Sequence, residues 1–501
     1  MHDVEIILKN FLVLAFLALT LFTCSASATS YYVSQSLGND TFPGTTTAKP
    51  FKTLARVSTL TGLKGGDAIY LRRGDTWHEQ LNIPGNGTST SSRLIIDAYG
   101  SGSAPVINGA DTVTGFSLIA PDTYQVRRSE PTYKVFVDLA YSSSTPLKKL
   151  SNLLATILTP GSFYSDADTL YVHLADGSNP SSHVIEASGN SHAYGVLSLD
   201  RSFVTIQNLW IVRTTNSGVA FILQYSNVSG TAGNQNNTLN RLSIYNSGSA
   251  APPYYGFDGG ILVRGNGSSG SLALTGWTIT HNTIGRLDSP TGLNYNIGGI
   301  QLRGVTGAMI DSNIVQTGTA MGIQERPYGK QGCCSANKIM YNWLSDNEGN
   351  ISGQSPNEQV ISNTIVNSRG FGIQVHGNAL VSGNSMTHLG KSTDGTLYNG
   401  IDGYDSPNTL YANNSIIDVY GCSLTVEGAS TGVVVDGGVY NSNNASGCAL
   451  YVTAAAQSVK FTGKAKWFVN PTVAKPFGYL LTSVGDRINR YTKEQFLALT
   501  K

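Results

Sequence analysis

Gly-Ile-Gln is written three times in this chain, as GIQLRG from Gly299, GIQERP from Gly322 and GIQVHG from Gly372. Two places after each Gln stands a cationic or titratable side chain: Arg303, Arg326 and His376. In an extended strand alternate residues face the same way, so Gln and the residue two places on lie on one face, and the Ile lies on the other. GILVRG from Gly260, NISGQS from Asn350, GIDGYD from Gly400 and CSLTVEG from Cys422 align with these at the inward apolar residue. One outward column then reads Gln301, Gln324, Gln374 and Asp402. The next reads Arg264, Arg303, Arg326, Gln354, His376, Tyr404 and Glu427.

These residue types fit carbohydrate chemistry in two ways. Arginines stacked about 5 Å apart repel one another and each favours a carboxylate, which a uronic acid polymer supplies on every sugar. His376, with an ordinary pKa near 6.5, is a competent base for the proton beside that carboxylate, and Tyr404 is placed to protonate the leaving oxygen. Gln301, Gln324, Gln374 and Arg264 would bind hydroxyls and charge. This is β-elimination. The competing chemistry is glycoside hydrolysis by two carboxyl groups. Asp402 and Glu427, on adjacent turns and offset along the strand, have backbones about 8 Å apart, a spacing suited to an inverting pair. Asp402 with Asp405, and Asp258 with Glu325, are further pairs. A third reading is a non-catalytic coil that binds polysaccharide through the same side chains. Plainer roles also exist: each Arg could simply answer a local acid such as Asp258, Glu325 or Glu348, and His376 and Tyr404 could be ordinary surface side chains.

Glu325 stands out, because it takes the place where other turns put Leu302, Val375 or Val426. A carboxylate in an apolar column is costly unless paired or protonated. Pro327 is expected to distort the strand and turn Glu325 outward. The alternative is a buried acid bonded to an arginine, which would mark this turn as the active centre. Insertions before Gly260, Gly299 and Gly400 bring Tyr254, Tyr255, Phe257, Tyr295 and Tyr398 beside the face, and a segment after Arg326 brings Tyr328 and Lys330. Aromatic faces next to polar groups suit sugar rings. The acidic cluster of Asp402 and Asp405 makes Ca2+ a candidate ligand, although no metal-loop signature is present.

What must position these residues is a repeat. Asn208, Asn282, Asn313, Asn342, Asn363, Asn384 and Asn414 recur just before apolar residues, roughly 20 to 40 residues apart, between short alternating strands. A coil of parallel strands follows, in which one turn cannot bury its apolar face alone and stacking about 4.8 Å apart creates a central column. Asn at a corner tolerates left-handed backbone and bonds to the Asn above and below. Cys422 and Cys448 fall at the same place in successive turns, within disulfide range or as a thiol ladder. Cys333 and Cys334 are adjacent and give no pairing.

Of 501 residues, 13% are charged and the net charge is +1, which argues against a nucleic-acid binder. Lys9, the apolar run from Phe11 to Phe22 and Ala26-Ser27-Ala28 read as an export signal, too short for a membrane span. A secreted or periplasmic protein is expected, with lipid anchoring at Cys24 as the minority option, and with four cysteines left for an oxidising compartment.

The start YYVSQSLGNDTFPGTTTAKPFKTL, the stretch GDAIYLRRGDTWHEQLNIPGNGT and the following LIIDAYGSGSAPVINGA resemble the opening turns of right-handed parallel β-helix proteins of the pectate-lyase-like superfamily. LTPGSFYSDADTLYVHLADGSNP is similar to a small β insertion of some carbohydrate-active members, while the paired-Asp signature of polygalacturonases is missing. The resemblance implies an all-β right-handed parallel β-helix. Its parts are a signal at 1–28, an N-terminal cap and first turns at 29–132, a β-rich insertion at 133–187, the main coil at 188–470 and a C-terminal cap at 471–501. A capping box at Thr492 to Gln495 gives that cap a short helix. It points to an exported protein acting on polysaccharide but specifies no reaction, because this fold hosts several; the aligned Arg303, Arg326, His376 and Tyr404 make a lyase on an acidic polymer the leading expectation, and a monomer is the expected state.

Overall fold

The computed structural model describes residues 28–138, 141–143, 145–223, 233–248, 258–265, 273–287, 297–318, 320–326, 335–390, 396–442, 448–452, 459–462, 465–469, 478–480 and 490–491. Three long sheets, of 13, 13 and 12 strands, run the length of the molecule. Each turn of chain visits each sheet in order, and successive turns pair in parallel: Ile279 with Ile310, Ile284 with Val315, Ile300 with Ile323. Parallel pairing with this sequential order makes a right-handed parallel β-helix.

The core is the column the repeat requires. Ile261, Ile300, Ile323, Ile351, Ile373, Ile401, Leu424 and Leu450 stack in register and are completely buried. Burying each such side chain contributes roughly 1.5–3 kcal/mol.

The asparagine pattern resolves into two adjacent positions. Asn282, Asn313, Asn342, Asn363, Asn384 and Asn414 form a buried ladder in which each side-chain amide donates to the Oδ1 of the next at 2.9–3.0 Å. The left-handed backbone belongs to the residue before it: His281, Ser312, Tyr341, Ser362 and Asn413 all have φ between 52° and 55°. Asn208 is one of these left-handed corner residues, with φ of 60°, and not a rung; Leu209 and Leu242 hold the rung position in the first turns. A ladder needs an amide on both sides, so it ends where Leu replaces Asn.

Upstream, a small helix at Leu54–Ser58 buries Leu54 and Val57 beneath the first turns. The insertion draws in more chain than 133–187. Ala110–Val113 joins Lys134–Val137 and Ile185–Ser188 in a three-stranded sheet, and Ser117–Ala120 and Thr123–Arg127 complete a five-stranded one. It docks through Arg213, which is fully buried, pairs with Glu186 and lies against the rings of Phe136 and Tyr141 at 4.3 and 4.9 Å. Cys422 and Cys448 are disulfide-bonded, with Cα atoms 4.2 Å apart on successive turns. The export signal, Cys24, Cys333, Cys334 and the helix expected near Thr492 lie outside the described residues. Among the described residues no helix is long and apolar enough to cross a membrane.

Candidate functional site

One 13-stranded sheet carries every strand aligned from the sequence, from Asp258–Arg264 through Ile297–Arg303, Met321–Arg326, Gly349–Gly353, Ile373–Val375 and Ile401–Tyr404 to Leu424–Glu427. The two outward columns are present in register. Gln301 pairs with Gln324, Gln324 with Ser352, Ser352 with Gln374, and Gln374 with Asp402. Arg264 pairs with Arg303, Arg303 with Arg326, and Tyr404 with Glu427. Arg326, His376 and Tyr404 therefore do share one face.

The columns divide chemically. At the arginine end, Arg303 is 1% exposed and donates through Nη2 to the Oε1 of both Gln301 and Gln324, at 2.9 Å each. These two glutamines are themselves buried, so their acceptors serve the guanidinium. Arg264 is buried beside them. Arg326 is half-buried, its Nε makes no hydrogen bond among the described residues, and burial lowers the pKa of its guanidinium.

The other end is acidic. Asp402 is half-buried, and its Oδ1 accepts from Asn399 Nδ2 at 2.7 Å and from Thr425 Oγ1 at 2.6 Å. Burial pushes its carboxyl upward, against those two bonds and the influence of His376. Glu427, on the next turn and two places along, is also half-buried; burial raises its pKa and the Asp402 charge raises it further. The register sets their backbones one strand spacing apart sideways and two residues apart lengthwise, about 8 Å in all. His376 lies between the ends, half-buried, its ring 5.5 Å from that of the exposed Tyr404. Burial lowers the pKa of His376, while the charges of Asp405 and Asp402 oppose that shift, and the net direction leaves the imidazole neutral near pH 7.

Asp405 does a different job from the one its spacing suggests. It stands at φ 44° and accepts the backbone N–H of Ala429 at 2.7 Å, closing the turn that follows Glu427. No group of three or more His, Cys, Asp or Glu among the described residues is arranged to hold a metal ion. Tyr398 is half-buried beside Asn399, and its carbonyl accepts from Gly421 N–H at 3.0 Å. Tyr254, Tyr255, Phe257, Tyr295, Tyr328 and Lys330 lie outside the described residues, as does Pro327.

Glu325 does not turn outward. It points into the coil, completely buried, and Asn337 Nδ2 donates to it. Its companion is not an arginine but Glu358, 1% exposed, which reaches in from a neighbouring sheet. Room for Glu358 comes from Gly353, the next residue in the inward column: a Cβ there would lie 1.7 Å from Glu358 Oε2. Burial raises both carboxyls, and the Glu325 charge raises Glu358 further. Two acids in contact cannot both ionise in such a place, so the pair holds a proton. Two turns on, Gly403 leaves space in the same column for Tyr411, whose hydroxyl would be 2.0 Å from a Cβ. Asn399, Thr425, Glu358 and Tyr411 all escaped the sequence reading. Glycine at two positions of an otherwise apolar column was the available signal that something else fills the space.

No protein-family model matches the chain. Over 80 residues, 16% of its length, it is 34% identical to a lacto-N-biosidase of Bifidobacterium longum subsp. longum, and the match spans 5% of that protein. Among solved structures it is similar to XylC in complex with xylose, at 13% identity and a TM-score of 0.53, covering 91% of this chain and 86% of that one. It also aligns with a structure described as a glycoside hydrolase, at 10% identity and a TM-score of 0.49, over 91% and 96% of the two chains. A lacto-N-biosidase from Eubacterium ramulus aligns at 15% identity and a TM-score of 0.40, over 88% and 68%. At such identities the likeness is one of fold, the right-handed parallel β-helix.

Proposed function

We propose that this protein is an exported enzyme that degrades polysaccharide, and that it does so by hydrolysis with Asp402 and Glu427 as the carboxyl pair. The observation that carries the reading is their joint setting. Both are half-buried on adjacent turns of one face, both have raised pKa values, and each environment suits a different role. Asp402 is held by two donors, which favour and orient its ionised form as the base. Glu427 has no such pair of donors among the described residues, and the Asp402 charge disfavours its ionisation, so it keeps the proton that a leaving glycosidic oxygen needs. Backbones about 8 Å apart allow the two carboxyl groups to flank a water, as an inverting mechanism needs. Neutral His376 and exposed Tyr404 would contact sugar hydroxyls and a ring face.

A lyase on a uronic acid polymer is the second reading, supported by Arg326 and the neutral His376. Against it, Arg326 stands two turns from His376, about 10 Å by strand spacing. The acids around His376 also repel a substrate carboxylate, and Arg303 is engaged by two glutamines. The test is kinetic. Asp402→Asn and Glu427→Gln should each lower kcat by about 10²–10⁴ on a cleaved polysaccharide, the range of general acid–base catalysis. Activity within threefold of wild type for either variant would overturn the hydrolytic assignment.

A further inference from the structure

The sheet that carries the acid pair also borders a cavity near its N-terminal end. This cavity of about 380 Å3 is lined by Thr59, Thr61, Asn82, Leu197, Leu199 and Arg201, among others. Its floor is the start of the same outward columns. Asn82 pairs with Leu197, Leu197 with Ala220, Ala220 with Leu262 and Leu262 with Gln301, on the way to Asp402. Seven strand spacings of about 4.8 Å separate Leu197 from Asp402, roughly 34 Å. In between, Ala220, Ile222 and Leu262 are buried, so the cavity does not run on along the columns to the acid pair.

Arg201 gives this cavity its chemistry. Its Nε donates to the carbonyl of Ile83 at 3.2 Å and its backbone N–H to Asn234 Oδ1 at 3.0 Å, which fixes the side chain against the wall. Its two Nη nitrogens donate to no group among the described residues, and no described lining residue is acidic. A planar fork of free donors in a cavity also lined by two leucines, two threonine hydroxyls and an amide matches a sugar ring that bears an anionic group. We propose that this cavity binds an anionic sugar of the polysaccharide, a carboxylate or sulfate engaging Arg201 while the ring packs on Leu197 and Leu199. It would hold a polymer to the enzyme far from the bond being cleaved. The proposal rests on the glycan reading above but not on which reaction is run.

The test is direct binding to the Asp402→Asn protein, followed by calorimetry or ligand-observed NMR, so that turnover plays no part. The probes are a galacturonic acid trimer, its carboxyl-reduced counterpart and a sulfated galactose trimer. The expected result is that at least one anionic trimer binds, that the reduced trimer does not, and that adding Arg201→Ala weakens binding at least tenfold. Whichever anionic trimer binds identifies the charge group. Leu197→Trp, which fills the cavity and leaves Arg201 in place, should abolish binding as well. Equal binding of reduced and anionic trimers, no binding of any, or binding unmoved by both substitutions would overturn the proposal. None of those results bears on Asp402 and Glu427, whose failure would appear only in turnover.

Discussion

Glu358→Gln perturbs the buried pair at the member whose pKa is raised further and changes almost nothing else. The amide is the size of the acid and offers a permanent donor to the Glu325 carboxyl. In the native protein the pair keeps a proton that the unfolded chain loses above the ordinary pKa of 4.5. The folded state then binds the extra proton, so native stability falls as pH rises, by about 1.4 kcal/mol for each unit until the folded group itself titrates. Below pH 4.5 both states are protonated and the penalty vanishes. Gln has no such penalty at any pH. With an unfolding entropy of about 2.1 cal/mol/K per residue over 501 residues, 1.4 kcal/mol corresponds to about 1.4 °C. The variant should melt with wild type near pH 4 and about 2 °C above it at pH 6, measured by calorimetry at one scan rate across pH 4–8. A constant offset at all pH values, or a variant that melts lower throughout, would refute a shared proton in the coil.

Three further outcomes follow from the same geometry. Because burial raises both Asp402 and Glu427, the bell-shaped pH dependence of kcat/KM should have both limbs above the ordinary carboxyl values of 3.8 and 4.5; a rising limb at or below 3.8 would contradict the assignment of Asp402 as base. If hydrolysis runs on Asp402 and Glu427, His376→Ala should raise KM and leave kcat within about tenfold, since the imidazole would then only contact sugar; a fall in turnover of about a hundredfold or more would restore it as the base. Asn342→Ala removes the acceptor of Asn313 and the donor to Asn363 and the Ile310 carbonyl, and should cost about 3 kcal/mol or more by denaturant titration. Asn282→Leu, at the ladder's first rung next to Leu242, should cost less, because it leaves fewer amide partners behind.

The fold was legible because it is a repeat: a coil imposes one register on many turns, so aligning Gly299, Gly322 and Gly372 was enough to bring Arg326, His376 and Tyr404 to one face. The same alignment puts Cys422 and Cys448 within reach of each other, as a disulfide or a thiol ladder, and the structure has the disulfide. What escaped lies across the coil and not along it. Glu358 comes from a different sheet, and no spacing within the Gly-Ile-Gln repeat announces it, so the sequence alone turns Glu325 outward when Gly353 in fact opens a place for its partner inside. The two asparagine-marked positions merged for a similar reason: a left-handed corner and a ladder rung are adjacent in sequence, and Asn suits both. The balance of the site also changed. Column membership made Arg303 a clamp, but burial and two glutamine acceptors tie it into the wall, whereas Asp402 gained two donors, one from Asn399 and one from Thr425 on the next turn, that its own segment did not reveal.

Product analysis tests the central claim most directly. A panel of neutral and acidic polysaccharides, incubated with wild type and with the Asp402→Asn protein, can be read for new reducing ends and for unsaturated uronate, with NMR reporting the first anomer released. Hydrolysis by Asp402 and Glu427 predicts reducing ends of inverted configuration, no unsaturated product, and loss of both signal and turnover in Asp402→Asn. An unsaturated uronate that persists in Asp402→Asn and disappears in His376→Ala would contradict it and establish elimination at the histidine.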